Sequence, residues 1–241
     1  MWRQCLVTLA VVLFCGASGY CRDKASQTVL SDRLVLASSN DDLPQVKRLL
    51  SQGADPNAIR SSDGLTPLGA VVLGQEHVTP VMRYLIAHGA KPNVHGKAWD
   101  GLTPLMIAIG SIEDTETIGF LLSHGAKINE RDNSGWTALH HATCICGGCG
   151  CMTNGAIGSY LIQQGADVNS RNSNGDTPLM LLVETAYYSA DTVRLARNLI
   201  RRGTDLNHKN KAGKTALQLA KEVGWPEIVQ LLKQSAAIKR R

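Results

Sequence analysis

Short apolar stretches alternate with polar turns from residue 29 to residue 238. Several of the apolar stretches end in glycine, as in YLIAHG (84–89), FLLSHG (120–125) and YLIQQG (160–165). Glycine readily adopts the left-handed backbone conformation that ends many helices, so each stretch predicts a helix that stops at its glycine. The pattern therefore predicts units of two short apolar helices followed by an exposed polar loop.

A five-residue block of the type GLTPL marks the start of the first helix in each unit. Its copies are separated by 37, 34, 40 and 38 residues, and they begin at Gly64, Gly101, Gly135, Gly175 and Gly213. The threonine of the block can cap a helix with its hydroxyl. The proline that follows it in three copies suits the first helical position, so the block predicts a helix N-terminus.

A second block, in which asparagine follows glycine by four residues, marks the end of each unit. Its copies begin at Gly53, Gly89, Gly125, Gly165 and Gly203. Two independent blocks agree in order and spacing over five copies, and this agreement predicts a tandem-repeat fold.

The two blocks resemble those of the ankyrin repeat, which begins with TPLHxA and recurs about every 33 residues. Residues 137–142 match best because they keep the histidine, at His140. The other copies have Gly69, Met106, Met180 and Gln218 at that position. The resemblance implies an all-α fold, namely an ankyrin-repeat solenoid of about six helix-turn-helix units with β-hairpin-like loops.

The predicted units divide the whole chain. A signal peptide (1–19) and an N-terminal segment (20–28) precede a capping repeat (29–60), four repeats (61–97, 98–132, 133–172 and 173–210) and a second capping repeat (211–241). Degenerate terminal units are typical of repeat proteins, because each end has only one neighbour to pack against.

The first residues predict export. Arg3 precedes an uncharged, mostly apolar stretch (5–17), and small residues follow, so cleavage after Ala17 or Gly19 fits an export signal. The stretch is shorter than the roughly 20 residues that cross a bilayer. No later segment is continuously apolar. We therefore expect an exported protein, periplasmic or secreted, with no membrane span after signal removal.

Two repeats deviate in length. The distance from the capping threonine to the closing glycine is 23 and 22 residues in repeats two and three, but 28 and 26 residues in repeats four and five. We expect the additional residues to lie between or within the helices of those two repeats.

The longer insertion carries four cysteines: Cys144, Cys146, Cys149 and Cys151. In an oxidising compartment they can form two disulfides, with three possible connectivities. Alternatively, four thiolates near His140 and His141 could bind zinc or copper(I), or Cys146 and Cys149 could exchange disulfides. Cys21 is left over as an odd cysteine.

The resemblance also implies protein recognition by a concave surface of loop tips and first helices. The residues expected at the tips are Ile59, Arg60, His95, Lys97, Trp99, Arg131, Asp132, Arg171, Asn172, His208 and Lys209. Trp99 and the arginines are the preferred anchors, since Trp and Arg often dominate interface energetics. The first helices are expected to face the concavity with Ala70, Ile107, His141, Leu181 and Leu219. An apolar floor beside basic tips would suit a partner with acidic groups around an apolar patch.

Composition and missing motifs narrow the function. Hydrophobic residues make up 44% of the chain, enough for a core, and the net charge of +5 comes without a basic run interleaved with aromatics. We therefore expect no nucleic-acid partner. The sequence has no GxxxxGK, HExxH or GxSxG motif, so we expect no enzyme and no cofactor.

These observations favour a monomer that binds a protein. A resemblance to exported bacterial ankyrin proteins implies an inhibitor or protector of a periplasmic or secreted enzyme. The alternative is a metal-binding or thiol-redox protein that uses the cysteine loop.

Overall fold

A computed structural model of the chain describes residues 26–75, 77–97, 100–111, 115–144, 155–184 and 189–238. The described residues contain helices and no β-strand, which confirms the all-α class. None of the described helices is long and apolar enough to cross a membrane. The first helix, α1, spans 26–39. The others are α2 (Leu43–Ser51), α3 (Pro67–Gly74), α4 (Pro80–Ala87), α5 (Pro104–Ser111), α6 (Thr115–Ser123), α7 (Ala138–Thr143), α8 (Gly155–Gln163), α9 (Pro178–Glu184), α10 (Ala190–Arg201), α11 (Ala216–Val223) and α12 (Pro226–Ile238).

Threonine hydroxyls cap the first helices, as the first block predicts. The Thr66 Oγ1 accepts from the amide of Gly69 at 3.0 Å. The Thr103, Thr177 and Thr215 hydroxyls accept the corresponding amides at 3.4, 3.4 and 3.3 Å. Each bond satisfies an amide that has no partner within its own helix.

The closing glycines end the second helices in the left-handed region, as the second block predicts. Their φ angles are 87°, 92°, 91°, 93° and 96° at Gly53, Gly89, Gly125, Gly165 and Gly203. A residue with a Cβ is strained in this conformation, and so glycine recurs there.

The odd-numbered helices α3, α5, α7, α9 and α11 stack on one another as an inner row, and each also packs on the helix that follows it. This packing surrounds the inner helices, and residues 67–72 and 178–183 are buried without exception. Ala70, Ile107, Leu181 and Leu219 are only 1, 5, 7 and 3% exposed. The expected apolar floor is therefore wrong for these four residues, which belong to the core.

The two insertions differ in where they lie. In repeat four the additional residues fall between α7 and α8, which end at Thr143 and begin at Gly155. In repeat five they lengthen the second helix instead, since α10 has 12 residues whereas α4 has 8 and α8 has 9.

Asparagines of the second block join successive repeats. The side-chain Nδ2 of Asn93 donates to the Gly125 carbonyl at 2.8 Å, and its Oδ1 accepts from the backbone amide of Lys127 at 2.8 Å. Asn57 and Asn169 make the same pair of bonds one repeat earlier and two repeats later. Each asparagine thereby holds the next unit at the point where its helix ends.

Two side chains of α1 contact the end of the first repeat and the loop that follows it. Gln27 donates to the Gly53 carbonyl at 3.0 Å, as an asparagine does in the later units. Asp32 accepts the Ser61 amide at 3.1 Å and the Ser61 hydroxyl at 2.9 Å. The capping role of the first unit stays a prediction.

Candidate functional site

The loops between repeats form a continuous row of hairpin-like tips. Within each tip an amide bonds a carbonyl across the turn, at 2.8 to 3.2 Å, in the pairs Arg60–Leu65, Gly96–Leu102, Asp132–Trp136, Asn172–Asp176 and Asn210–Lys214. Each of the last four tips also donates one amide to the tip before it, at 2.9 Å, in the pairs Lys97–Gly64, Asn133–Asp100, Ser173–Ser134 and Lys211–Asn174. The tips therefore make one firm edge of the solenoid.

Three of the predicted binding residues bond backbone carbonyls of the loops with their side chains. The Arg131 Nη1 donates to the Arg171 carbonyl at 2.6 Å, which joins one tip to the next. The His208 Nε2 lies 2.7 Å from the Gly175 carbonyl of the preceding tip. The His95 Nδ1 lies 2.9 Å from the Gly101 carbonyl within its own loop. These side chains support the edge as well as lying on it.

Arg60 forms an ion pair inside its own tip. Its Nε donates to the Asp63 Oδ1 at 2.8 Å, and its Nη2 contacts the other carboxylate oxygen. The hydrogen bond to Asp63 raises the pKa of Arg60, and the same bond lowers the pKa of Asp63. The pair is half-buried, so Arg60 is less available to a partner than its position suggests.

Asp132 and Asn172 are buried parts of the loops. They are 7 and 6% exposed, and the Oδ1 of each accepts the amide four residues later at 2.8 Å, from Trp136 and Asp176. These bonds set the turn at each tip. Because both side chains point into the loop, they shape the tip and are not exposed for direct contact.

Four of the predicted tip cations lie exposed, namely Lys97, Arg131, Arg171 and Lys209, and of these Arg131 bonds the Arg171 carbonyl. Ile59 is half-buried beside them in the row. Trp99, one of the two preferred kinds of anchor, lies outside the described residues. The binding role of every tip residue stays a prediction.

Repeat four adds an aromatic and histidine cluster to this edge, which we call the repeat-four cluster: Asp132, Trp136, His140 and His141. The His141 Nε2 lies 2.9 Å from the Asp132 Oδ2, and the Trp136 ring lies 5.2 Å from the His141 ring. His141 is half-buried. The residues at the equivalent position of the other first helices are buried and apolar: Ala70, Ile107, Leu181 and Leu219. The cluster is therefore a polar opening in an apolar row.

The carboxylate of Asp132 stays ionised in this cluster. Burial by itself raises the pKa of Asp132, but the hydrogen bonds from His141 and from the Trp136 amide outweigh burial and lower it. The side chain of Asp132 is 2% exposed and that of His141 is 22% exposed. Asp132 therefore holds the His141 ring in place, and part of the His141 side chain remains exposed.

His140 is the structural member of the cluster. It is fully buried, its Nδ1 accepts the Thr137 amide at 3.1 Å, and its Nε2 donates to the Asp176 carbonyl in the next repeat at 3.1 Å. These two bonds require a neutral ring with the proton on Nε2. Burial lowers the pKa of His140 to about 4, which keeps the ring neutral at physiological pH.

The predicted cysteine site is described only at its first residue. Cys144 follows α7, is half-buried, and donates its amide to the His140 carbonyl at 3.0 Å. Cys146, Cys149 and Cys151 lie outside the described residues, as do Cys21 and the predicted signal peptide. The disulfide, metal and export predictions therefore stay predictions.

Trp136 and the linking asparagines were not predicted as special from the sequence. Trp136 stands in the first block where other copies have Leu65, Leu102, Asp176 and Lys214, so its departure from the block was the available signal. The asparagines carried a signal in their recurrence, but the bonds to the next repeat appear only in three dimensions.

Known proteins share the sequence pattern and the fold. A family model described as ankyrin repeats, three copies, matches residues 34–132, 83–149 and 112–195. A solved ankyrin repeat domain from Acinetobacter baumannii is 26% identical, with a TM-score of 0.67, and the match covers 84% of this chain and 97% of that one.

A second solved structure has the same fold. It is a predatory endopeptidase from Bdellovibrio bacteriovorus in complex with an immunity protein, and the matching chain is 24% identical with a TM-score of 0.66. The match covers 85% of this chain and 98% of that one. No curated protein matches the chain in sequence.

Proposed function

From the chain's membership of the ankyrin-repeat family, whose members bind proteins, we propose its role. The protein is an exported inhibitor or protector of a periplasmic or secreted enzyme. Protein–protein interaction follows from the family. Export, the enzyme partner and the surface that binds it are the proposal. The row of tips together with the repeat-four cluster is the surface we assign to this partner.

The combination of a firm tip edge with the exposed side of the repeat-four cluster carries the assignment. Backbone bonds fix the tips in register, so few degrees of freedom are lost when a partner docks. Trp136 and His141 offer an aromatic and a polar group side by side, and aromatic residues often supply the central contacts of interfaces. Exposed Lys97, Arg171 and Lys209 lie along the same row of tips and favour a partner with acidic groups.

The inhibitor role is supported by the kind of complex in which a structural neighbour occurs. That complex pairs an endopeptidase with an immunity protein. A rigid repeat edge that covers an enzyme surface would inhibit by blocking access to the substrate. The predicted signal peptide at 1–19 would bring this chain into the compartment of exported enzymes.

Affinity capture from the exporting compartment, with mass spectrometry of the bound proteins, tests the proposal. We expect one stable exported enzyme whose activity falls when the purified protein is added. The tip triple variant, Lys97→Glu with Arg171→Glu and Lys209→Glu, should weaken that complex about tenfold or more, because each exposed ion pair contributes about 0.2–1 kcal/mol and reversal adds repulsion.

A matched control reverses three exposed cations elsewhere: Arg33→Glu, Arg48→Glu and Lys233→Glu. This control triple changes the net charge equally but leaves the tips intact, so binding should persist. Equal loss in both triples would show that only net charge matters and would refute the tip assignment. Capture of no exported enzyme would refute the inhibitor role.

A further inference from the structure

The second helix of repeat five is longer and more basic than its counterparts in repeats one to four. It has 12 residues, and Arg194, Arg197, Arg201 and the following Arg202 lie along it. Among the equivalent helices, α2 has two basic residues, α4 and α12 have one each, and α6 and α8 have none. The additional residues of repeat five thus build an arginine-rich helix on the outer side of the solenoid.

Three of these arginines share one face. Arg194, Arg197 and Arg201 are spaced by three and four residues, which places them on the same side of an α-helix. Their side is solvent-exposed, with 76% of the Arg194 side chain and 53% of the Arg197 side chain accessible. The opposite side packs into the core through Leu195, Ala196 and Leu199, none of them exposed.

The ion pairs on this face are weak. Arg194 lies 3.2 Å from Asp191, and Arg197 lies 3.8 Å from Glu227, with all four side chains well exposed. Exposed pairs of this kind contribute about 0.2–1 kcal/mol and exchange readily for other partners. Attraction to the carbonyl end of the helix accounts for Arg201, but not for Arg194 or Arg197 in the middle of the helix.

An open groove of about 380 Å³ runs beside the arginines, between α10 and α12. Ala190 and Val193 form its apolar floor, and Arg194, Arg197 and Glu227 line its sides. The groove therefore offers a place for one apolar side chain with guanidinium groups next to it.

Glycines hold this helix firmly against its neighbour. Gly158 of α8 faces Leu195, and a Cβ built at Gly158 would lie 2.9 Å from the Leu195 methyl carbons. Gly155 makes a similarly close approach to Asp191. Close packing of this kind keeps the arginine face in a fixed position, which favours binding because little is lost to ordering.

We propose that the outer face of α10 is a second binding surface, separate from the loop tips, that takes an acidic protein segment with one apolar side chain. The carboxylates of the segment pair with Arg194, Arg197 and Arg201, and its apolar side chain enters the groove over Val193. A groove with an apolar floor fits a protruding side chain better than it fits a flat anionic membrane. This surface does not depend on the proposed inhibitor role.

Binding of a labelled peptide with the sequence EEELEEE, followed by fluorescence anisotropy, tests this surface. We expect saturable binding to the purified protein that weakens with added salt, since exposed charges are screened. The α10 triple variant, Arg194→Glu with Arg197→Glu and Arg201→Glu, should lose about tenfold or more in affinity. The peptide EEESEEE should bind about threefold or more weakly than EEELEEE, because serine does not fill the apolar groove.

The control triple, Arg33→Glu with Arg48→Glu and Lys233→Glu, is the matched control, because it changes the net charge equally at exposed residues outside both proposed surfaces, and it should bind the peptide like the unaltered protein. Equal loss in the control triple would mean that the peptide only senses net charge, and equal affinity of the two peptides would mean that the groove is unused. Either result overturns the proposal, and so does absence of binding at about 1 mM peptide. If the protein bound phosphatidylglycerol vesicles through these arginines but did not bind the peptide, the proposed protein partner would be wrong and the surface would bind a membrane.

Discussion

Acid should destabilise this protein through one buried histidine, His140. In the folded chain its pKa is about 4, against an ordinary value of 6.5, because burial opposes the charged ring. Below pH 6.5 the unfolded chain takes up the proton first, so stability is complete above that pH and falls as the pH drops toward 4. Each unit of pKa difference corresponds to about 1.4 kcal/mol, so the whole loss is about 3 kcal/mol, of which about 2 kcal/mol is lost by pH 5.

The substitution His140→Gln isolates this effect, because the chain itself uses glutamine at the same position in another repeat. Gln218 accepts the Thr215 amide at 2.8 Å in α11, as His140 accepts the Thr137 amide in α7. The variant therefore keeps a cap acceptor but has no ring to protonate. We expect a modest loss at pH 7.5, about 1 kcal/mol, from the altered packing.

Urea unfolding followed by circular dichroism at pH 7.5 and pH 5 measures the effect. Unaltered protein should lose about 2 kcal/mol more between these two pH values than His140→Gln does. His124→Gln serves as the control, since it removes an exposed histidine. If the free energy of unfolding of the unaltered protein and of His140→Gln falls in parallel between the two pH values, a neutral His140 is not what makes the fold acid-sensitive.

Three further outcomes are expected. Asn93→Ala removes the two bonds from repeat two to Gly125 and Lys127, so the free energy of unfolding in urea should fall by about 1–2 kcal/mol. The exposed loop variant Asn174→Ala should lose less than half as much. Asp132→Asn keeps an acceptor for the Trp136 amide, as Asn172 does for the Asp176 amide, so thermal unfolding should show a stability loss below about 1 kcal/mol. Asp132→Ala removes the acceptor and should lose about 2–3 kcal/mol. Equal losses in the two variants would contradict the turn-setting role of Asp132. If the four loop cysteines form two disulfides, the exported protein should show one reactive thiol under denaturing conditions, at Cys21. Bound zinc or copper together with four or more reactive thiols would favour the metal site instead.

The sequence predicted the helices and their ends because the signals for them are local. Thr66 caps an amide only three residues later, and Gly89 ends its helix through its own φ of 92°. Both signals act within one turn of chain, so they can be recognised without knowledge of the other repeats. The recurrence of both signals then predicted the solenoid.

Burial of the first helices could not be predicted in the same way. Ala70, Ile107 and Leu181 occupy the same position of the repeat as His141, but they are buried whereas His141 is half-buried. A polar or apolar side chain at this position looks equivalent in the repeat pattern. Its exposure depends on the side chains that other helices place around it, which is a property of the assembled fold.

The use of the tip cations was also decided by tertiary structure. Arg131 and His208 bond carbonyls of other tips, 40 and 33 residues away along the chain, and Asp132 is buried beneath His141. The sequence by itself determined the helix boundaries, the repeat count and the family, since each rests on short-range conformational preference repeated at a fixed period. Only the stacked structure decided which polar side chains brace the edge and which, such as Lys97 and Arg171, remain exposed, because that choice depends on carbonyls and carboxylates brought together from different repeats.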